Sequence, residues 1–232
     1  MKPLLLGHNG ILGKRIQSII DCDTTLFRFP SEEFVNLIIN KQYRTIINCI
    51  VDKQGNKTIN IDLPCFLKEN TKQLIHFCTD AVFSGDKTIG LQYTKKDPHD
   101  PTDEYGLSKS IASKYLLRES NILVIRTSFL DIRSQLVQKL SCVEEFTGYS
   151  NYYWNGLTAK QVAHETKKLI QNNSNGLYYL FGNTTYSKYD LANIIRNFLN
   201  RPTKIISVEL DNVVNRSLRS DFPNLNFDIN QL

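Results

Sequence analysis

The feature that most constrains the fold is a glycine-spaced turn that directly follows a short apolar strand at the start of the chain. Leu4–Leu6 precede Gly7, Gly10 and Gly13, a GxxGxxG spacing related to the GxGxxG dinucleotide fingerprint. Glycines permit the tight turn, let backbone N–H groups approach a pyrophosphate at a helix N-terminus, and let the helix pack closely on the strand. The sequence therefore predicts a dinucleotide-binding βαβ unit.

The chain continues with short apolar runs that alternate with amphipathic stretches, a pattern typical of parallel sheets covered by helices on both faces. We predict an α/β fold with a Rossmann-type doubly wound parallel sheet over residues 1–130. Beyond residue 131 the alternation changes, and residues 131–232 are predicted to form a small α/β C-terminal lobe interleaved with the core. Strands are expected at 4–6, 25–29, 45–51, 73–79 and 122–129, and helices at 11–20, 32–41, 58–70 and 105–119.

Charge and cysteine content narrow the class of protein. The 28 basic and 23 acidic residues give a net charge of +5 that is spread along the chain, which suits a small anionic ligand and argues against nucleic acid. The five cysteines form no CxxC pair or Cys/His cluster, so we expect reduced thiols and no metal site. No stretch approaches the ~18 apolar residues of a membrane span. A cytoplasmic protein without a signal peptide is expected.

Cofactor choice in this kind of fold is read at the end of the second strand. An acidic residue there holds the ribose of NAD, whereas an arginine accommodates the 2′-phosphate of NADP. The predicted strand carries Arg28 and no acidic residue. NADP(H) is therefore favoured over NAD(H), and the alternative is an arginine in a strand-end salt bridge.

A second group of residues suggests proton-transfer chemistry. Tyr105 and Lys109 are four residues apart at the start of a predicted helix, so they share one face. A neighbouring ammonium favours the phenolate, which lets a tyrosine act as a general acid or base. Thr79 ends the fourth predicted strand and is expected to face the same crevice, where its hydroxyl can bond a substrate oxygen. Alone, each of these residues is equally compatible with a structural role.

The motifs together resemble a known family. The segments GHNGILG, CTDAVFSG, DPHDPTDEYGLSK and ILVIRTSFL occur in the order typical of the extended short-chain dehydrogenase/reductases. The chain looks most like the dTDP-4-dehydrorhamnose reductase group within them. The resemblance implies that NADPH delivers a hydride to the 4-keto carbon of a deoxysugar nucleotide. It also implies that Tyr105 protonates the carbonyl oxygen, Thr79 polarises it, and Lys109 holds the nicotinamide ribose.

The same resemblance assigns binding residues. The implied cofactor contacts are Gly7, Asn9, Gly10, Ile11, Leu12, Cys49, Ile50, Val51, Tyr105, Lys109, Thr127 and Ser128, and Arg28 joins them from the argument on the second strand. The implied substrate contacts are Thr79, Val82, Phe83, Tyr105, Trp154 and Asn155. Apart from the resemblance, the aromatic residues Tyr149, Tyr152, Tyr153 and Trp154 are candidates for stacking on a sugar or base, with core packing of the lobe as the alternative.

Two departures from the family pattern keep alternatives open. The chain is shorter than typical extended members, mainly in the C-terminal lobe, and Ala81 replaces the tyrosine usual in the second motif. An epimerase or dehydratase of the same fold, or a non-catalytic cofactor-binding regulatory subunit, therefore remains an alternative to a sugar-nucleotide reductase. A homodimer is compatible with the sequence.

Overall fold

The computed structural model describes residues 2–232, and its centre is a six-stranded parallel sheet. The strand order is β10-β5-β4-β3-β1-β2, with every neighbouring pair parallel. The predicted doubly wound α/β fold is confirmed. Its strands are β1 Leu4–Leu6, β2 Asp23–Thr24, β3 Thr45–Asn48, β4 Gln73–Cys78, β5 Ile122–Thr127 and β10 Gly176–Leu180.

Alternating side chains of the central strands supply two hydrophobic cores, one on each face of the sheet. Leu4 and Leu6 point to one face, and Leu5 points to the other. Because both faces are covered, the strands are apolar throughout rather than alternating. Helices α2 Glu32–Lys41, α3 Leu63–Glu69 and α4 Glu104–Leu116 cover the first face, and α1 Ile11–Gln17 and α6 Ala159–Gln171 cover the second.

The order of the strands reverses beside β1. The chain passes from β1 to β2 on one side and then returns to β3 on the other. In open α/β sheets, such a switch point leaves a crevice at the carboxyl ends of the strands, where ligands bind. The fold therefore places a binding crevice between the ends of β1 and β3.

The second strand differs from its prediction. A strand over residues 25–29 was expected, but β2 contains only Asp23 and Thr24. They pair with Leu4 and Leu5 of the three-residue β1, and Leu6 has no partner on β2. The following residues are largely exposed, with Leu26 at 80%. The prediction was wrong because the chain leaves the edge of β1 after Thr24, so residues 25–29 pair with no strand.

The third predicted helix is divided into two parts. Residues Thr58–Asp62 form a π-helical turn, and α3 continues from Leu63 with Pro64 in its first turn, where a missing N–H is tolerated. Turns of this type are frequent at functional sites.

Most of residues 131–232 form a lobe beside the sheet, whereas α6 and β10 belong to the core layers. The lobe has its own hydrophobic cluster around Val137, Leu140 and Leu191. Its helices are α5 Gln135–Cys142 and α7 Lys188–Phe198. Its strand pairs are β6 Phe129–Leu130 with β9 Leu157–Thr158, β7 Glu145–Tyr149 with β12 Lys204–Val208, and β8 Tyr152–Trp154 with both β11 Tyr186–Ser187 and β13 Val214–Asn215.

Within residues 2–232, no helix has the length and apolar character needed to cross a membrane.

Candidate active site

The glycine turn after β1 packs directly against the end of β3. Gly7 has φ +79°, and a Cβ on it would lie 2.9 Å from the Cys49 carbonyl carbon. A Cβ on Gly13 would lie 2.1 Å from the Gly7 carbonyl oxygen. Gly10 caps α1 without a side chain, so no capping side chain covers the N–H groups of its first turn. The backbone here forms a cradle that side chains would fill, as a bound dinucleotide requires.

A buried ion cluster holds α1 against the lobe. The carboxylate of Asp131 is 1% exposed and binds Arg15 at 2.5 Å and Arg133 at 3.0 Å. Arg133 also donates to the carbonyl of Ile11 at 3.1 Å. Burial raises the pKa of Asp131, but the hydrogen bonds from both arginines outweigh it and lower that pKa. The cluster fixes the start of α1, where the cradle is formed.

A cavity of about 310 Å³ lies at the switch point. A larger cleft of about 520 Å³ lies before β3 and β4, at the amino ends of the strands, and contains none of the predicted site residues. The carboxyl-end cavity is the candidate site because ligands bind there in open α/β sheets. Its lining comprises Gly10, Ile11, Leu12, Asn48, Cys49, Ile50, Val51, Lys53, Phe77, Cys78, Tyr105, Lys109, Thr127 and Phe129.

Helix α4 carries the predicted tyrosine and lysine into this cavity. Asp103 caps the helix by accepting from the N–H of Gly106 at 2.6 Å. A Cβ on Gly106 would lie 2.1 Å from the carbonyl oxygen of Ala81, so the absence of a side chain lets α4 pack against the turn that follows β4. This close approach brings Tyr105 beside Thr79.

The environment of Tyr105 favours the protonated phenol. Burial raises its pKa above the ordinary value, and the nearby Thr79 hydroxyl partly offsets this. Cys78, Asp80 and Asp103 raise the pKa further. The phenol is therefore protonated at neutral pH.

Lys109 is buried and its amine contacts a histidine. Its Nζ lies 2.8 Å from His76 Nε2 on β4. Burial lowers the pKa of Lys109 to about 8, and Cys78 and Cys49 act in the opposite direction. His76 and its neighbour Asn48 on β3 were not predicted as site residues, although both are polar residues in otherwise apolar strands.

Asn60, on the π-helical turn, is a second residue that the sequence analysis missed. Its buried amide donates to Ser108 Oγ at 2.9 Å and to the carbonyl of Asp52 at 2.7 Å. Its Oδ1 accepts from the N–H of Asp52 at 2.9 Å. Asn60 thus ties the loop after β3 to the helix that carries Tyr105.

A charged cluster lies on the other side of Thr79. The Thr79 hydroxyl donates to Asp80 at 3.0 Å and accepts from the N–H of Ala81 at 3.2 Å. Burial raises the pKa of Asp80, and Thr79, Lys188 and Arg216 oppose that rise. The amine of Lys188 lies 5.2 Å from the ring centres of both Tyr152 and Trp154, a cation–π arrangement. None of these charged groups was predicted.

Four predicted substrate residues are buried in the core. Val82 and Phe83 are inaccessible, and Phe83 stacks on Tyr93. Trp154 donates to Ser128 Oγ at 2.8 Å. The amide of Asn155 donates to two backbone carbonyls, each at 2.7 Å. Their polar atoms are engaged or their side chains buried in this structure, and their role as substrate contacts stays a prediction.

Most of the predicted cofactor residues line the cavity, and a few lie elsewhere. Nine of them line the cavity: Gly10, Ile11, Leu12, Cys49, Ile50, Val51, Tyr105, Lys109 and Thr127. Gly7 and Asn9 belong to the glycine turn beside it. Ser128 is engaged by Trp154. Arg28 is exposed and lies beyond the end of β2.

Together, the doubly wound sheet, the glycine cradle and the Tyr105/Lys109 pair define a dinucleotide-binding α/β protein of the short-chain dehydrogenase/reductase class. A sequence model described as RmlD substrate binding domain matches residues 1–228, so the chain belongs to that family. This confirms the resemblance drawn from the motifs. No curated protein matches the chain in sequence.

Solved structures share the fold. The dTDP-4-dehydrorhamnose reductase of Clostridium acetobutylicum is 20% identical, with a TM-score of 0.81 over 95% of this chain and 90% of that one. The same enzyme from Bacillus anthracis, solved with NADP, is 19% identical, with a TM-score of 0.82 over 95% and 92%. A UDP-glucose 4-epimerase from Thermotoga maritima, solved with UDP-glucose, is 13% identical, with a TM-score of 0.78 over 95% and 90%.

Proposed function

We propose that the protein is an NADPH-dependent reductase of a 4-keto-6-deoxy sugar nucleotide that acts in the synthesis of surface polysaccharides. The observation that carries this proposal is the convergence of Tyr105 and Lys109 on the cavity beside the glycine cradle, with Thr79 next to the phenol. Membership of the RmlD family supports the substrate class.

The state of Tyr105 fits the reductive direction. NADPH, when bound, supplies the hydride for the carbonyl carbon, and the carbonyl oxygen then needs a proton. Tyr105 is protonated at neutral pH because burial raises its pKa. It is therefore ready to act as the acid that donates this proton. The Thr79 hydroxyl must turn from Asp80 to polarise the same oxygen.

The residues around the cavity suit the cofactor. No side chain caps the first turn of α1, so its N–H groups would be free to bind a pyrophosphate. Arg28 is exposed and forms no salt bridge with any residue in the described range 2–232, so its guanidinium is available to a 2′-phosphate. The Bacillus anthracis reductase was solved with NADP, in line with this choice.

The charged cluster suits the other substrate. Lys188 and Arg216 lie within electrostatic range of Asp80, next to Thr79. Two cations on this side of Tyr105 are suited to the diphosphate of a sugar nucleotide. Tyr152, over which Lys188 lies, offers a partly exposed ring beside them.

NADPH oxidation, followed by its absorbance with a panel of keto-sugar nucleotides, tests the function. We expect turnover with at least one 4-keto-6-deoxy sugar, and a loss of about 10²–10⁴-fold in Tyr105→Phe. An epimerase or dehydratase would change the sugar without net NADPH consumption. A regulatory subunit would bind NADPH and turn over no member of the panel. Either result contradicts the proposal.

We also propose that the protein forms a homodimer and acts in the cytoplasm. Leu107 and Ile111, one turn apart on α4, are each 43% exposed and form an apolar stripe that a second copy could cover. All five cysteines are free, as expected in a reducing compartment. Sedimentation of the wild type and of Leu107→Glu tests the dimer, and cell fractionation tests the location.

A further inference from the structure

A further cavity of about 390 Å³, which we call the β8 cavity, lies against the three-stranded sheet β11-β8-β13 of the lobe. Side chains alternate along β8, so Tyr153 projects away from Tyr152, whose ring lies under the amine of Lys188. On β13, Asn215 pairs with Tyr153 and lines the β8 cavity, whereas the next residue, Arg216, belongs to the charged cluster. The β8 cavity and the charged cluster therefore lie on opposite faces of one sheet.

Buried hydrogen bonds build one wall of the β8 cavity. Asn215 is 2% exposed, and its amide donates to the carbonyls of Thr88 and Leu91 at 3.1 and 2.8 Å. Its Oδ1 accepts from the N–H and the hydroxyl of Ser217 at 3.1 and 2.7 Å. Gly90, with φ +83°, allows the turn between the two bonded carbonyls. This turn is thus fixed to β13, and the cavity wall is a product of the fold.

The chemistry of the lining selects against charged ligands. Among residues 2–232, those that line the β8 cavity include no charged side chain. A charged ligand would lose its hydration here without gaining a partner of opposite charge. The volume falls within the range of small-molecule sites, about 300–1,000 Å³. An uncharged small molecule is therefore the class of ligand that fits.

Polar groups at the rim are available to such a ligand. Asn183 and Thr185 are exposed, and Gln92 is partly exposed. Asn183 Nδ2 donates to two backbone carbonyls, and its amide oxygen remains an acceptor. Thr185 Oγ1 lies 3.5 Å from Gln92 Nε2, a distance at which a ligand can take either group. Amides and hydroxyls both donate and accept, which matches a ligand rich in hydroxyl groups.

We propose that the β8 cavity binds an uncharged sugar ring. Tyr153 packs on the apolar face of the sugar, and the rim amides and the Thr185 hydroxyl bond its hydroxyl groups. Ile89 and Leu91, which are 54% and 56% exposed, cover an aliphatic substituent such as a methyl group. This site does not rest on the proposed reductase function, because it lies on the other side of the sheet from the charged cluster.

Saturation-transfer NMR with the full chain tests the proposal. The probes are a methyl 6-deoxyhexopyranoside, a methyl hexopyranoside and a methyl hexuronide, which carries a carboxylate. We expect saturation transfer to both uncharged probes and an affinity about tenfold lower for the hexuronide. No transfer to either uncharged probe would overturn the proposal, and so would equal affinity for the hexuronide.

Variants locate the bound probe. Tyr153→Ala removes the ring and should weaken binding of the uncharged probes by about tenfold, because both ring packing and buried area are lost. Tyr149→Ala, on β7 and outside the lining, is the matched control and should leave binding unchanged. Thr185→Val keeps the shape of the rim and removes one hydroxyl, for an expected loss of about 2–10-fold.

Each outcome decides the proposal. Unchanged binding in Tyr153→Ala and Thr185→Val would overturn it, and so would a loss in Lys188→Met, which would assign the sugar to the charged cluster. If Tyr153→Ala fails to fold, Thr185→Val decides, since it alters an exposed side chain. If the probes bind as expected but no keto-sugar nucleotide is reduced, the proposed function fails while the β8 cavity stands.

Discussion

The two sides of Tyr105 differ in charge and in how the chain builds them. On the cavity side, the groups nearest Lys109 are a neutral histidine and two thiols. On the lobe side, Asp80, Lys188 and Arg216 form a charged cluster. The first side is made by a glycine turn and strand ends, and the second by segments far apart in the chain. The comparison indicates that backbone and neutral groups bind the cofactor, whereas charged side chains bind the sugar nucleotide.

The largest effect on the cavity side is expected from Gly13→Ala. The new Cβ would lie 2.1 Å from the Gly7 carbonyl oxygen, so the turn must move. We expect NADPH affinity to fall by about 100-fold, equivalent to ~3 kcal/mol of overpacking, while sugar-nucleotide affinity changes little. Calorimetric titration of each ligand measures this. In Gly10→Ala, where the nearest atom would be 3.2 Å away, the loss should be smaller. Equal losses of affinity for NADPH and for the sugar nucleotide would contradict the view that different sides of Tyr105 bind them.

On the lobe side, Lys188→Met and Arg216→Met should act on the sugar nucleotide instead. Loss of a charged hydrogen bond costs about 1.5–3 kcal/mol, so KM for the sugar nucleotide should rise by about 10–100-fold. The Kd of NADPH should stay within twofold. Lys204→Met, which alters an exposed lysine paired with Glu145, is the control. An unchanged KM in both variants would remove the cluster from the binding site.

Asp131→Asn tests the ion cluster behind the cradle. It leaves Arg15 and Arg133 without their shared carboxylate, and we expect unfolding free energy to fall by about 2–3 kcal/mol. Since the pKa of Asp131 is lowered on folding, this stabilisation is present above the ordinary aspartate pKa and is lost as pH falls through the folded value. Denaturant titration measures it. Asp21→Asn, which breaks an exposed pair with Lys2, should cost far less because solvent screens that pair.

The stability of the protein should depend on pH through His99, which lies outside the cavity. Burial first, then Arg126 and Lys114, lower the pKa of His99 to about 4. The unfolded chain therefore binds more protons, and stability should fall as pH drops from about 6.5 to 4. We expect a loss of about 2 kcal/mol for this partly exposed group. His99→Gln can preserve the bond to Ser110 and should flatten the curve in thermal melts at each pH. An unchanged curve would assign the sensitivity elsewhere.

The parts that were predictable from sequence are those whose chemistry is local. The glycine turn and the Tyr105/Lys109 spacing each lie within a few residues, so hydrophobic periodicity and residue type were enough to place them. The alternating pattern predicted the sheet because both of its faces are buried. The second strand was placed wrongly, since its pairing with β1 ends at Thr24, before the residues 25–29 that indicated a strand.

The rest depends on contacts between distant segments. His76 meets Lys109 across 33 residues, and Asn60 meets Ser108 across 48. The resemblance placed Asn155 on the substrate side, and it could not show that the amide of this residue donates to two backbone carbonyls from distant segments. A polar residue within an apolar strand is ambiguous until its neighbours on adjacent elements are known.

Transfer of deuterium tests the central claim most directly. The protein is supplied with NADPH deuterated at the reactive nicotinamide carbon and with a 4-keto-6-deoxy sugar nucleotide, and the sugar product is analysed by mass spectrometry and proton NMR. We predict one deuterium at sugar carbon 4, with one NADP⁺ formed per product. A sugar product without deuterium, or deuterium loss with no net NADP⁺, would contradict the assignment of Tyr105 and its cavity to carbonyl reduction.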